Sequence, residues 1–222
     1  MRLLDNLSKP EFVFRPRQIL LRWQRGRRPP RAEEVVTLPW GARLAICPTE
    51  NIGRQVWRLG VFDLTVTETL WRLLEAGELA VDVGANLGYM TSILAAKTGP
   101  AGKVWAMEPH PQVFERLQAN VALWRSIPSM GQVVPQRRAL GERAGPATLW
   151  IPPHFEENVG LARLSSTPPS EGQTCAIEVV PLDDLLEAND KVGLLKVDVE
   201  GAELQVLQGA RGALSRGQIR DV

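Results

Sequence analysis

From Glu78 onward, short apolar runs alternate with longer segments that are apolar at every third or fourth position. Leu79-Ala80-Val81-Asp82-Val83 is a compact run closed by Gly84, which predicts a buried parallel strand. Residues 87–98 predict a helix stopped at Gly99-Pro100, and residues 104–107 a second strand closed by Glu108-Pro109. In the next segment Val113, Leu117, Val121 and Trp124 fall on one helical face. Val133-Val134 opens a third strand, residues 193–198 form a fourth, and residues 219–222 open a fifth. Residues 201–216 read as one helix with Leu204, Leu207, Ala210 and Leu214 inward. Repeated strand–helix units predict an α/β fold: a mostly parallel sheet with flanking helices and right-handed crossovers.

Two stretches depart from that rhythm. Residues 35–62 read as short strands, with VVTL and ARLAI forming a hairpin around Pro39-Trp40-Gly41. Thr65 and Glu68 have capping-box spacing and predict a helix with Leu70, Trp71 and Leu74 on one face, ending near Gly77. Within 141–180, residues 147–151 and 175–180 predict a hairpin or flap around a loop rich in Pro, Ser and Glu. A further helix is expected to start at Leu182.

Composition narrows the class. The chain has 222 residues, 44% of them hydrophobic and 23% charged, so it can bury a sizeable core. A disordered, collagenous or disulfide-scaffold protein is excluded. The formal charge of +1 hides an asymmetry: residues 1–31 carry nine basic and two acidic side chains, a net +7 against −6 for the rest. We therefore divide the chain into a basic N-terminal extension, 1–39, and a body, 40–222. The arm suits peripheral contact with an anionic surface. Cys47 and Cys175 match no metal-binding spacing. No apolar run approaches the ~18 residues of a membrane span, and the start of the sequence lacks a signal-peptide core, so a cytoplasmic setting is expected.

In an open α/β sheet, ligands bind beyond the carboxyl ends of the strands. The first strand ends there in Asp82-Val83-Gly84-Ala85-Asn86-Leu87-Gly88, and Glu108 ends the second strand 20 residues beyond Gly88. A carboxylate so placed can accept hydrogen bonds from ribose hydroxyls. The loop has neither G-x-G-x-x-G spacing nor a P-loop lysine, so a pyrophosphate cradle is poorly supported. An acid before a glycine loop suits a ligand with an amine-bearing or cationic part, such as S-adenosylmethionine.

These residues carry a family resemblance. VDVGANLG (81–88), Glu108-Pro109, the ALG at 139–141, PLDDLL (181–186) and KVDVEGAELQVLQGA (196–210) resemble the FkbM family of S-adenosylmethionine-dependent methyltransferases, from about Trp40 to the end. The resemblance implies a Rossmann-like class I methyltransferase fold and O-methylation of a small-molecule or sugar hydroxyl. It implies that Asp82, Gly84, Asn86 and Gly88 contact the methionine part of the cofactor, that Glu108 holds the ribose, and that Ala139 and Leu140 border the adenine. The family domain usually continues past the fifth strand, so the sheet is expected to be cut short after it, leaving an exposed edge.

The residues leave the chemistry of the acceptor more open. Lys196, inside an apolar strand, needs a partner, and Asp82 on the neighbouring strand is the expected one. Asp198 and Glu200, at the tip of the fourth strand, either cap the following helix or orient a substrate hydroxyl, accept its proton or hold a metal ion. His154, in the flap, is a third candidate base. No metal site is assigned. The expected partner is a small-molecule or glycan acceptor and no specific nucleic acid, because Asp198-Val199-Glu200-Gly201 stands where nucleic-acid N-methyltransferases often carry an Asn/Asp-Pro-Pro-aromatic motif. The alternative is an inactive cofactor-binding remnant acting as an interaction module.

Overall fold

The structure, a computed structural model, describes residues 31–153, 155, 160–164 and 169–222. Strands β1 (Glu34–Thr37) and β2 (Arg43–Ile46) form an antiparallel hairpin, followed by helices α1 (Asn51–Leu59) and α2 (Leu64–Leu73). The alternating body then runs β3 (Leu79–Val83), α3 (Tyr89–Thr98), β4 (Lys103–Met107), α4 (Pro111–Trp124) and β5 (Gln132–Gln136). An insertion follows: β6 (Ala139–Leu140), β7 (Gly145–Ile151), β8 (Arg163–Leu164) and β9 (Gln173–Val180). A 3-10 turn, Leu182–Asp184, leads to β10 (Val192–Val197), α5 (Glu203–Gly209), α6 (Arg211–Ser215) and β11 (Ile219–Asp221).

The main sheet is parallel, in the order β11-β10-β3-β4-β5. The chain steps outward from β3 to β5, then crosses back to β10 on the other side of β3. That reversal makes the carboxyl ends of β3 and β10 the topological switch point. Strand periodicity sorts the side chains of β3: Ala80 joins the core under α3 and α4, while Val81 and Val83 join the core under α5 and α6. Asp82 and Lys196 alternate onto the α3 side.

The hairpin is fastened to the body by buried polar groups. Asn120 of α4 accepts from Ala45 N at 2.7 Å and donates to the carbonyls of Ala45 and Leu87 at 3.2 and 2.8 Å. Trp124 Nε1 donates to the Arg43 carbonyl at 2.6 Å. Arg116 meets Glu50 with two hydrogen bonds, at 2.7 and 2.9 Å. A bidentate pair of this kind fixes orientation as well as distance.

Four local expectations are corrected. Residues 51–59 are helical, not extended: Val56 and Trp57 are buried on one face, and Gly53 packs so close to Cys47 that a Cβ would lie 2.0 Å from its carbonyl oxygen. Helix α2 is capped by Asp63, whose carboxylate accepts from Val66 N, so the Thr65–Glu68 spacing is not used as a capping box; it ends at Leu73, with Leu74 as its C-cap, and Trp71 is exposed. The helix expected from Leu182 closes after a single 3-10 turn. The helix expected over 201–216 is two helices, and its inward residues are Val206, Ala210 and Ala213, while Leu204 is 64% exposed.

Candidate functional site

The glycine loop is pinned at its base. The N–H groups of Gly84 and Ala85 both donate to the Met107 carbonyl, at 3.0 and 2.9 Å, tying the end of β3 to the end of β4. Gly84 has φ +76, and a Cβ there would lie 2.0 Å from the Asp198 carbonyl oxygen. Only glycine meets both conditions. Asn86 takes φ +51, and its side chain accepts from the N–H of Leu87 at 2.7 Å, which compensates for the unusual backbone. Gly88, φ +97, starts α3, and a Cβ there would press on Leu117 and Trp124 of α4.

Glu108 is buried at the end of β4. Its two carboxylate oxygens accept from Asn86 N at 3.0 Å and His110 N at 2.9 Å. Burial pushes its pKa up to about 7, against the opposing pull of those two backbone donors. It therefore shapes the loop as well as facing the cavity.

Asp82 is fully buried. Its carboxylate accepts the Thr91 hydroxyl at 2.6 Å and lies 2.9 Å from Lys196 Nζ, the ion pair expected from the sequence. Lys196 also donates to the carbonyls of Val83 and Gly84, at 3.4 and 3.0 Å, and lies 3.6 Å from Asp198. One ammonium thus joins both carboxylates to the loop backbone.

A cavity of about 260 Å³ opens over these strand ends. Of the expected cofactor residues, Gly84, Asn86, Glu108, Ala139 and Leu140 line it; Asp82 and Gly88 do not, and support the loop from beneath and behind. Of the expected catalytic residues, Asp198 and Glu200 line it, and Asp198 has its side chain 78% exposed. His154 lies outside the described residues, as do residues 1–30 of the basic arm. His110 accepts from Val113 N and stacks on Phe155 of the insertion, ring centroids 4.7 Å apart. Among the described residues no cluster of three or more His, Cys, Asp or Glu side chains is placed to hold a metal ion.

The cavity has further lining residues, of which the N-terminal ones carry no signal in the sequence pattern. Ile52 of α1, Phe62 of the α1–α2 turn, and Leu149 and Leu164 of the insertion also line it. An extended reading of residues 51–59 hides the N-terminal contribution, which comes from a helix.

A parallel sheet ordered third-second-first-fourth-fifth, with a glycine loop after the first strand and a buried acid after the second, is the Rossmann-like architecture of class I methyltransferases. The chain belongs to the family described as "Methyltransferase FkbM domain", which residues 82–220 match. It is similar to the hexuronic acid methyltransferase AglP of Haloferax volcanii, with 32% identity over 181 residues, 79% of this chain and 66% of that protein. It is also similar to the 31-O-demethyl-FK506 methyltransferase FkbM of Streptomyces tacrolimicus, with 29% identity over 171 residues, 63% of this chain and 62% of that one. The chain thus spans slightly under two thirds of the length of these relatives. A crystal structure of methyltransferase FkbM from Methylobacillus flagellatus KT matches 65% of this chain and 31% of that one, at 24% identity and a TM-score of 0.45.

Proposed function

We propose that this chain is an S-adenosylmethionine-dependent O-methyltransferase acting on a hydroxyl of a small molecule or sugar. The observation that carries the reading is Glu108: a buried carboxylate facing a cavity at the strand ends, one strand from a glycine loop whose backbone it holds. The residues fit the cofactor. Gly84 and Asn86 offer loop backbone at close approach, Glu108 offers lone pairs to ribose hydroxyls, and Ala139 and Leu140 offer an apolar edge to the adenine. Asp82 and Gly88 act indirectly, by holding the loop in shape.

Bound S-adenosylmethionine supplies an activated methyl group on a sulfonium. The protein must then place an acceptor oxygen, exclude water and take up the hydroxyl proton. Asp198 suits the last task, because its exposed carboxylate lines the cavity, with Lys196 3.6 Å away. Glu200, on the same turn, can orient the hydroxyl.

Calorimetry with S-adenosylmethionine, followed by transfer of a labelled methyl group to candidate acceptors, tests the reading. Binding by the wild type and its weakening by about 1–3 kcal/mol in Glu108→Ala are expected, the cost of removing hydrogen bonds to a charged acceptor. Unchanged affinity in a folded Glu108→Ala variant would take Glu108 out of the site.

A further inference from the structure

Glu108 is a buried acid with no counter-ion of its own. It lines the cavity, yet it is only 8% exposed. Among the described residues no cation pairs with it. Lys196 of β10 acts on it only through space, being held by Asp82 at 2.9 Å, and Asp82 of β3 adds a like charge. Asp198 and Glu200 at the tip of β10, and Arg138 before β6, line the same cavity without pairing with it. From β5 it meets only the uncharged Gln136 carbonyl, which accepts from Glu108 N. From α4 the His110 ring stacks on Phe155, and burial lowers its pKa, so that ring is neutral at neutral pH. What the carboxylate has are two backbone donors, Asn86 N on one oxygen and His110 N on the other. Desolvation outweighs them and raises the pKa to about 7. Both protonation states are therefore populated at neutrality.

The two states offer a ligand different groups. An ionised carboxylate is acceptor-only, so each oxygen can take a second donor beside its backbone N–H. The neutral acid spends one oxygen on its own proton and presents an O–H instead. The neighbouring hydroxyls of a ribose are two donors side by side. They match the ionised form fully and the neutral form by half, and hydrogen bonds to the charged acceptor are the stronger ones.

We infer that the ribose of the cofactor selects the ionised form of Glu108, so that binding expels the carboxyl proton and affinity for the nucleoside rises with pH across neutrality. The O–H bond of the acid breaks and its proton passes to the buffer. The ribose hydroxyls keep their own protons and donate them as hydrogen bonds. The inference rests on the reading of Glu108 as the ribose acceptor.

Adenosine is the probe, because it carries the ribose and the adenine and no group that titrates near neutrality. Its binding to the whole chain is followed by calorimetry. The apparent dissociation constant scales inversely with the fraction of protein in the competent state, so adenosine is expected to bind about 10-fold more tightly at about pH 8 than at about pH 6. Near the midpoint, enthalpies in buffers of different ionisation enthalpy are expected to report about half a proton released per adenosine bound. Dideoxyadenosine, which lacks both hydroxyls, is expected to bind more weakly and equally at the two pH values. Glu108→Gln is expected to flatten the adenosine profile, with its urea midpoint reporting that it is folded; the proton release is read on the wild type and does not depend on that variant. Adenosine binding that is equal at the two pH values, or a pH dependence shared by dideoxyadenosine or by folded Glu108→Gln, overturns the inference. Failure of the wild type to bind adenosine or S-adenosylhomocysteine at any pH instead removes the cofactor reading itself, and it is seen as an absence of heat rather than a flat profile.

Discussion

Lys196 and Asp82 are register partners across β10 and β3, and their charged groups lie 2.9 Å apart with almost no access to water. Two buried charges seldom add net stability over a well-packed apolar pair, but losing one partner is costly. Here the pair also holds two loop carbonyls and reaches Asp198. It works as a strut between the loop of β3 and the acidic tip of β10.

Lys196→Met leaves the Asp82 carboxylate buried and uncompensated. A loss of about 3–5 kcal/mol of unfolding free energy is expected, as for other buried pairs broken on one side. The double variant Asp82→Asn with Lys196→Met should recover part of it. Urea denaturation of the four proteins in this cycle measures the coupling. Additive effects would show that the two residues do not act as a pair.

Gly84→Ala probes the seam between the same two strands. The added methyl would meet the Asp198 carbonyl oxygen at 2.0 Å, on a backbone with φ +76. Neither backbone segment can retreat, since Asp198 N is itself bonded to the Val83 carbonyl at 3.1 Å. Left-handed strain and overpacking together are expected to cost about 2–5 kcal/mol. Thermal unfolding reads the loss; a variant as stable as the wild type would show the loop to be softer than its contacts imply.

Much of this arrangement was legible in the residues. The loop, Glu108 and the Lys196–Asp82 pair could be placed because parallel strands bury continuous apolar runs, and a charge within such a run demands a partner. The face of α4 was equally plain, since Val113, Leu117, Val121 and Trp124 are all buried. The N-terminal walls were not legible. Helix α1, NIGRQVWRL, mixes polar and apolar positions, and its buried residues Gly53, Val56 and Trp57 lie beside a hairpin held by the distant Asn120. Local pattern carries no record of that contact. The inward face after β10 was misread for a related reason: Leu204 is apolar but faces out, and small residues, Ala210 and Ala213, fill the close approach. Asp82 was expected to face the ligand because loop position was known and side-chain direction was not; strand alternation sends it beneath the loop to Thr91.

Glu108 makes stability depend on pH. Its pKa in the folded protein is raised to about 7, above its ordinary value of 4.5. A raised carboxyl pKa means that the folded state holds its proton longer than the unfolded chain. Its contribution is therefore full below about pH 4.5 and is lost as pH rises through about 7. The shift corresponds to roughly 3 kcal/mol. Between solution below about pH 4.5 and mildly alkaline solution, the wild type should lose about that much stability relative to Glu108→Gln, which carries no charge at either end. Urea midpoints of the two proteins across this range measure the difference, and parallel curves would show that Glu108 titrates normally.

Asp198→Asn addresses the chemistry directly. The side chain is exposed at the cavity mouth, so the substitution keeps its shape and should change stability by no more than about 0.5 kcal/mol, as expected for an accessible surface position. It removes the proton-accepting charge. Cofactor affinity should change little, because Glu108 and the loop backbone lie on other strands. Turnover with an accepted substrate should fall about 100-fold or more, the range for loss of a general base. The three measurements separate the roles. A fall in turnover with cofactor binding intact assigns Asp198 to the acceptor. Loss of cofactor binding assigns it to the cofactor. Full activity makes it a cap for the turn before α5 and moves the proton-accepting role to Glu200, the other carboxylate lining the same mouth.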